Sequence, residues 1–438
     1  MLWSLVISDY NNHGMMADNE TDGAPQAAQH SMQSKEKQPA RPDAGTVAKP
    51  NSFLLPVLTG MMVTLVTVAF ARLAFGLILP SMRADLGLSY QQAGTLVTAA
   101  ALGYLFLVMV AGVFASRRGG RAAVVLGLSL ATAGFILLAA GSQLSVLMLA
   151  MLMLGCGTAF AYTPVISLLA GHYPHRRGSV IGLTNSGIGI GMLSASLLVP
   201  YLGELTGQSA WRWAWGVFAV ASMIALASSL SFLPNPRIAA PGAAAGSSAS
   251  VYRDRRLILT GLLYGVVGTT YIAQTTFMFS YALASGIAAP TAGHLSALLG
   301  VLSIFAGPCW GLFSDRFGRP AALLISVALN VVATLLPVLM PTLTGFTLHY
   351  LILGCTVSGM FTSILTIAAE SVEPRLAPRA TSYVTLFYAV GQLAGPALAG
   401  LVIEYGGGFK PAFTASSAVL ALGFLLSCKL VRLSRRPA

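Results

Sequence analysis

An arginine is costly in the middle of a long apolar stretch, and Arg72 stands in one, between Phe53 and Met82. At the centre of a membrane-spanning helix an Arg costs roughly 2.5–3.5 kcal/mol on insertion scales, so it needs compensation. Snorkelling is one route, but Ser81 lies about 13 Å further along a helix, beyond comfortable side-chain reach. A buried carboxylate would be another. All 13 acidic residues lie in tails, loops or stretch ends, with Asp85, Glu370 and Glu404 nearest. A guanidinium meets a carboxylate through two parallel hydrogen bonds. Arg72 is therefore a candidate anion site in an aqueous cavity. Packing against carbonyls and hydroxyls, with no ligand, is the competing reading.

Other polar side chains in apolar surroundings could complete such a site. Tyr264, Tyr271, Gln274 and Met278 fall on one helix face by their spacing. Tyr162, Asn185, Tyr388 and Gln392 are further candidates for contact with a substrate. Each of these also suits a purely structural role. For moving a proton, His294, His349 and Glu370 are the candidates, since His titrates in the right range; an interfacial polar role competes for both histidines. Cys156, Cys309, Cys355 and Cys428 have no metal-ligand spacing and read as small packing residues. No phosphate loop, metal cluster or nucleophile elbow is present. No cofactor, no metal and no enzymatic activity are expected.

The elements that must carry these residues follow from composition. Hydrophobic residues make up 55% and charged residues 9% of the chain, with a mean hydropathy of +0.76. Soluble domains carry roughly 25% charged residues, so this chain cannot cover a water-facing surface. It can face lipid as helices that satisfy their own backbone groups. The net charge of +12 does not mark a nucleic-acid binder, because the basic residues sit in short loops between apolar stretches.

Twelve stretches are long enough to span a bilayer: Phe53–Met82, Tyr90–Ala115, Ala122–Ala140, Leu144–Ala170, Ser179–Leu202, Trp213–Leu233, Leu257–Ala284, Thr291–Phe313, Ala321–Met340, Phe346–Ala369, Thr381–Ile403 and Phe413–Val431. With both termini cytoplasmic, every Lys and Arg falls inside except Arg83, Arg212 and Lys410 outside and Arg72 within the first stretch. A wrong count would scramble that asymmetry. Residues 1–51 are aperiodic and polar, and read as a disordered cytoplasmic tail. Leu2–Ile7 is too short for a cleavable leader, and Met15 or Met16 is an alternative start. The Ala-, Gly-, Pro- and Ser-rich loop 234–256 separates two six-stretch halves, 52–233 and 257–431, with a short cytoplasmic tail 432–438.

The halves share words in the same order. Gly112-Val-Phe-Ala-Ser-Arg-Arg-Gly-Gly-Arg121 returns as Gly311-Leu-Phe-Ser-Asp-Arg-Phe-Gly-Arg-Pro320. Leu152-Met-Leu-Gly-Cys156 returns as Leu351-Ile-Leu-Gly-Cys355. Gly187, Gly191 and Tyr201 match Gly391, Gly395 and Tyr405, and Arg212-Trp-Ala-Trp215 matches Lys410-Pro-Ala-Phe413. Ordered matches at near-constant offset indicate duplication. A parallel repeat predicts two pseudo-symmetric six-helix bundles with a site between them.

On these residues the chain resembles the major facilitator superfamily (MFS) over about residues 52–432. The resemblance rests on the 6+6 plan and on the Gly-x-x-x-Asp-Arg-x-Gly-Arg loop of each half. In the family that loop controls which side opens, which assigns gating to Gly311, Asp315, Arg316, Gly318 and Arg319, and to Gly112, Arg117, Gly119 and Arg121. The first copy has Ser116 in place of Asp, which weakens its gate. Topology alone is the competing role for these arginines. The glycine run Asn185-Ser-Gly-Ile-Gly-Ile-Gly191 resembles an exporter motif without its Gly-Pro ending, and Met151-Leu-Met-Leu-Gly155 lacks the buried Arg of many proton-coupled drug exporters. Phe70–Pro80 and the following Ser81–Ser89 are similar to a little-characterised bacterial branch near predicted organic-anion and cyanate-type permeases.

The resemblance implies an all-α membrane protein with the MFS fold, monomeric, in the bacterial inner membrane. Its partners would be the lipid bilayer and a small, anionic substrate moved by alternating access, with no nucleic acid. Proton-coupled efflux of drugs or metabolites, and a non-transporting sensor, remain the alternatives, and symport versus antiport stays open.

Overall fold

A computed structural model describes residues 51–235, 253–373 and 376–434, and every element in it is helical. The expectations for the tails and most of the central loop lie outside these residues. The first stretch is not one continuous α-helix. It runs through α1 (Asn51–Thr64), a π-helical segment (Leu65–Leu73) and α2 (Phe75–Leu86). After it come α3 (Tyr90–Arg118), α4 (Gly120–Ala140), α5 (Leu144–His172), α6 (Arg177–Thr206) and α7 (Ala210–Phe232). The second half has α8 (Arg255–Ala284), α9 (Ala289–Phe317), α10 (Arg319–Leu339), α11 (Leu343–Glu370), α12 (Ala377–Tyr405) and α13 (Phe409–Ser434).

Local chemistry sets the ends. Gly87 takes a left-handed φ of 64° and stops α2. Ser89 and Gln92 form a reciprocal capping box that starts α3. The Asp254 carboxylate accepts from the Arg256 and Leu257 amides at the start of α8. Gly119 at φ 95° and Gly318 at φ 88° turn α3 into α4 and α9 into α10. Few side chains tolerate such backbone, so these two glycines of the repeated loop have a positional reason.

Eleven helical stretches among the described residues are long and apolar enough to cross a membrane. One, Gly178–Phe232, runs 55 residues and contains both α6 and α7, broken by a 3-10 turn at Gly207–Ser209. One helical run thus holds both the fifth and sixth expected stretches, and between them lies the polar segment 203–212 with Glu204, Gln208 and Arg212, where the backbone turns. The outer surface is apolar, with Met109 77% and Leu312 71% exposed, as a lipid-facing exterior requires.

The duplication is visible in the packing. In the first half α5 packs on α3 and α4, α4 on α7, and α6 on α1 and the π segment. In the second half α11 packs on α9 and α10, α10 on α13, and α12 on α8. Small residues mediate both sets. Gly187 and Gly191 lie against Met61 and Ala69, while their matches Gly391 and Gly395 lie against Gly265 and Thr269. Gly155 meets the α3 backbone at Ala100, and its match Gly354 meets α9 at Leu299 and Leu302. The repeated words are therefore contact points, as close helix approach in lipid demands.

Candidate functional site

Arg72 sits near the end of the π segment, where the Ala74 amide donates to the Ala69 carbonyl at 2.8 Å across five residues. A π turn widens the helix and displaces its side chains. Threonines of neighbouring helices hold this segment. The Thr158 hydroxyl donates to the Thr67 carbonyl at 2.7 Å, and Thr64 donates to the Thr184 carbonyl at 2.5 Å. Among the described residues Arg72 forms no ion pair. Its guanidinium instead lies over the Tyr104 ring, 4.9 Å from the centroid, a cation–π contact.

The helices of both halves bring tyrosines around it. Arg72 is within electrostatic reach of Tyr162 on α5, Tyr264 and Tyr271 on α8 and Tyr388 on α12. Tyr264 stacks on Tyr388 with centroids 4.6 Å apart. Phe361 of α11 meets Tyr264, Tyr271 and Tyr388 edge-on at 5.8, 5.3 and 5.5 Å. The Tyr162 hydroxyl donates to the Asn185 amide oxygen at 3.3 Å. The hydroxyls of Tyr104, Tyr264, Tyr271 and Tyr388 have no hydrogen-bond partner among the described residues. Most of the expected substrate-contacting residues therefore share one neighbourhood. Gln274 and Gln392 are buried in the flanking turns of α8 and α12, and the Gln274 amide oxygen and both Gln392 amide atoms are unpartnered.

The proton-handling candidates are scattered. His294 is exposed and lines a cavity of about 660 Å³ together with Glu204, Tyr201 and Ser196, and Arg72 is not part of that lining. Glu370 is exposed and accepts from Arg319 at 3.4 Å. His349 is fully buried, with Nδ1 2.7 Å from the Ala333 carbonyl and Nε2 unpartnered.

In the second copy of the repeated loop, Arg319 bridges Asp315 at 2.6 Å and Glu370 of α11. It also donates to the Ser314 hydroxyl at 2.9 Å. Asp315 pairs with this arginine and does not cap α10, whose start has no side-chain cap. In the first copy the matching positions are Ser116, Gly120 and Gly171. The Ser116 hydroxyl donates only to its own helix, at the Val113 carbonyl.

Away from the Arg-rich loops the two halves are stitched together. The Tyr90 amide at the start of α3 donates to the Glu404 carboxylate of α12 at 2.8 Å. Thr98 donates to the Leu393 carbonyl at 3.0 Å and Tyr405 to Gln91 at 3.2 Å. Gly94 and Gly400 bring α3 and α12 into backbone contact at Pro396 and Tyr90. On the other side Gly189 and Gly300 join α6 to α9, and Gly293 meets Ser196 and Pro200. Between these seams Gly76 of α2 packs on the Thr275 and Thr276 carbonyls of α8. Gly94 and Gly293 stand equally far before Gly112 and Gly311, so the two seams are related by the repeat.

A family model described as "Uncharacterised MFS-type transporter YbfB" matches residues 64–428. The chain belongs to this family of MFS-type transporters. The transporter is 25% identical over 356 residues to monocarboxylate transporter 13 of Bos taurus, covering 78% of this chain and 77% of that protein. It is 33% identical over 188 residues to the putative uncharacterized transporter YgaY of Escherichia coli strain K12, covering 41% of this chain and 44% of that protein. Among solved structures, the nucleoside transporter NupG superposes with a TM-score of 0.71 at 13% identity, over 88% of this chain and 100% of that one. A bacterial homologue of the human lysosomal transporter Spinster, inward-facing and occupied, gives 0.71 at 16% identity, over 89% and 99%. At such identities these two share the fold. This MFS transporter is thus an integral multi-pass membrane protein with a small-molecule substrate.

Sequence reasoning passed over two aromatic residues of this MFS transporter. Phe361 holds the place in the second half that Tyr162 holds in the first, counted from the Leu-x-Leu-Gly-Cys words. The duplication that pairs those words therefore pointed to it. Tyr104 follows Gly103 in an otherwise apolar run. Its phenol in a span was the available signal, and its contact with Arg72 depends on how α3 crosses the π segment.

Proposed function

We propose that this MFS transporter carries a small organic anion by alternating access, with Arg72 as the principal partner of the anion. One observation supports this most. Among the described residues, the one cation deep within the spans has no carboxylate partner; it lies over the Tyr104 ring of the first half and within electrostatic reach of Tyr271 and Tyr388 of the second. Charge there favours an anionic ligand that replaces the missing counter-charge. The names of relatives such as monocarboxylate transporter 13 of Bos taurus agree with this chemistry.

The same reading takes 52–233 and 257–431 as two six-helix bundles. It has α6 and α7 crossing separately, because one 55-residue helix would be about 80 Å long against a core of about 30 Å. The basic loops, with the tails 1–51 and 432–438, lie on the cytoplasmic side of a bacterial inner membrane. The seams at Tyr90–Glu404 and Gly293–Pro200 then close the outer end.

The test is flux in proteoliposomes, with binding to the purified protein. Arg72→Lys keeps charge but loses the planar fork, so carboxylate affinity falls. Arg72→Gln loses both and abolishes substrate-specific flux. Lipophilic cations do not compete. Unchanged affinity in an Arg72→Gln protein with wild-type thermal stability would make this arginine structural and remove the anion reading.

A further inference from the structure

The surroundings of Arg72 restrict which anion fits, and this inference rests on the anion reading above. Three features of the site act together. The first is charge. The acids among the described residues nearest the spans, Asp85, Glu370 and Glu404, are engaged elsewhere: Asp85 with Trp211 and Arg212, Glu370 with Arg319, and Glu404 with the Tyr90 amide. One guanidinium then balances one carboxylate. A second carboxylate would be buried unpaired, and so would the ammonium of an amino acid.

The second feature is the donor excess. Among the described residues, the guanidinium and four tyrosine hydroxyls, at Tyr104, Tyr264, Tyr271 and Tyr388, have no protein acceptors. Asn185 spends its amide oxygen on Tyr162, which leaves its N–H groups to donate. Such a site favours a ligand rich in acceptor oxygens.

The third feature is the shape of the apolar wall. Tyr264 and Tyr388 stack at an interplanar angle of 27°, and Phe361 sets its edge to both and to Tyr271. Tyr271, Tyr388 and Phe361 are only half-buried. Rings that stack on one another form a shelf and not a cage, which disfavours a quaternary ammonium group. A flat ring can lie on or against such a shelf with offset or edge-to-face geometry, which a puckered ring of equal area cannot reproduce.

We propose that the substrate class is an aryl monocarboxylate. Its carboxylate sits on Arg72, its ring lies on the shelf of Phe361, Tyr271 and Tyr388, and a ring oxygen accepts from the tyrosine hydroxyls. The test measures binding to the purified full-length protein by calorimetry. The probes are benzoate, 4-hydroxybenzoate, cyclohexanecarboxylate, lactate, phthalate and phenylalanine. Benzoate should bind about tenfold more tightly than cyclohexanecarboxylate, the sum of two aromatic contacts, and 4-hydroxybenzoate more tightly still. Phe361→Leu should erase most of the preference for benzoate over cyclohexanecarboxylate.

Equal affinity for benzoate and cyclohexanecarboxylate, measured on the wild-type protein, overturns the aryl class, as does tighter binding of phthalate or phenylalanine. In any of those cases, loss of binding in Arg72→Gln would still uphold the anion reading. If no carboxylate binds wild type, or Arg72→Gln binds as wild type does, the anion reading itself fails. Because the ligand comparison needs no mutation, misfolding of Phe361→Leu would leave the inference testable.

Discussion

Two carbonyls near one end of α10 are without helical partners because of prolines. Pro337 has no N–H for the Ala333 carbonyl, and Pro341 has none for the Pro337 carbonyl. Side chains from elsewhere fill both gaps. His349 Nδ1 lies 2.7 Å from the Ala333 carbonyl and must donate to it. The Tyr281 hydroxyl donates to the Pro337 carbonyl at 3.0 Å. This geometry favours a structural task for His349 over the proton-coupling role its chemistry suggested. The expected outcome for His349→Phe is a loss of about 1–3 kcal/mol from an orphaned buried carbonyl, read as a lower unfolding temperature in detergent. The pH profile of transport should keep its shape; a shifted profile at wild-type stability would restore the coupling role. Much of the site was legible at this scale. Arg72 declared itself by cost alone, and the Tyr264–Tyr271 face by helical spacing. The π turn that aims Arg72 was not legible, because nothing in Leu65–Leu73 distinguishes five-residue bonds from four-residue ones. The contacts of Thr158 and Thr64 that hold it come from distant chain segments.

At the scale of helices, the apolar pattern and the repeated words anticipated nearly every element. The break between α6 and α7 is short: Glu204, Gln208 and Arg212 mark it in the sequence, and Gly207, at φ 59° and ψ −128°, ends the helix there. A cysteine at Gln208 should react with a membrane-impermeant thiol reagent from the side opposite cysteines at Arg118, His175 or Asn235. Labelling of all four from one side would mean that this stretch does not cross twice. The repeated loops differ in the same quantitative way. Arg319 ties α9 to α11 through Asp315 and Glu370, both largely exposed, so the pairs add little to stability. Their worth would lie in holding one arrangement of helices against another. Asp315→Asn and Glu370→Gln should each lower turnover severalfold with little change in unfolding temperature. The double variant should fall less than the product of the two, since both act through one arginine. Ser116→Ala should transport nearly as wild type, because Ser116 bonds only within α3. Equal turnover for Asp315→Asn and wild type would take the gating role from this loop.

For the molecule as a whole, the proposed alternating access raises the question of what must break when access changes sides. The described seams join the halves at the end away from the Arg-rich loops. They combine glycine contacts, which make the fit tight, with one ionic contact, Glu404 on the Tyr90 amide. That amide belongs to the first turn of a 29-residue helix, whose unpaired N–H groups attract negative charge. Arg83 lies over the Tyr90 ring at 3.4 Å, and Phe277 and Phe409 pack against that ring edge-on, so one residue gathers both halves. A carboxylate at a helix start contributes about 0.3–1 kcal/mol, enough to move an open-to-closed ratio by roughly two- to fivefold. Glu404→Gln keeps the size and an acceptor oxygen but loses the charge, so it should loosen the seam without unfolding it. The measurement is the labelling rate of a cysteine at half-buried Thr98, in a background with the four native cysteines replaced, using a reagent confined to the far side. The rate should rise two- to fivefold in Glu404→Gln. A Gly94→Val change, which drives a side chain into the Pro396 carbonyl, should raise it further, because a steric wedge acts directly on the closed state. If neither variant changes the rate while a denatured control labels fully, the Tyr90–Glu404 seam is not the closure that alternating access must open.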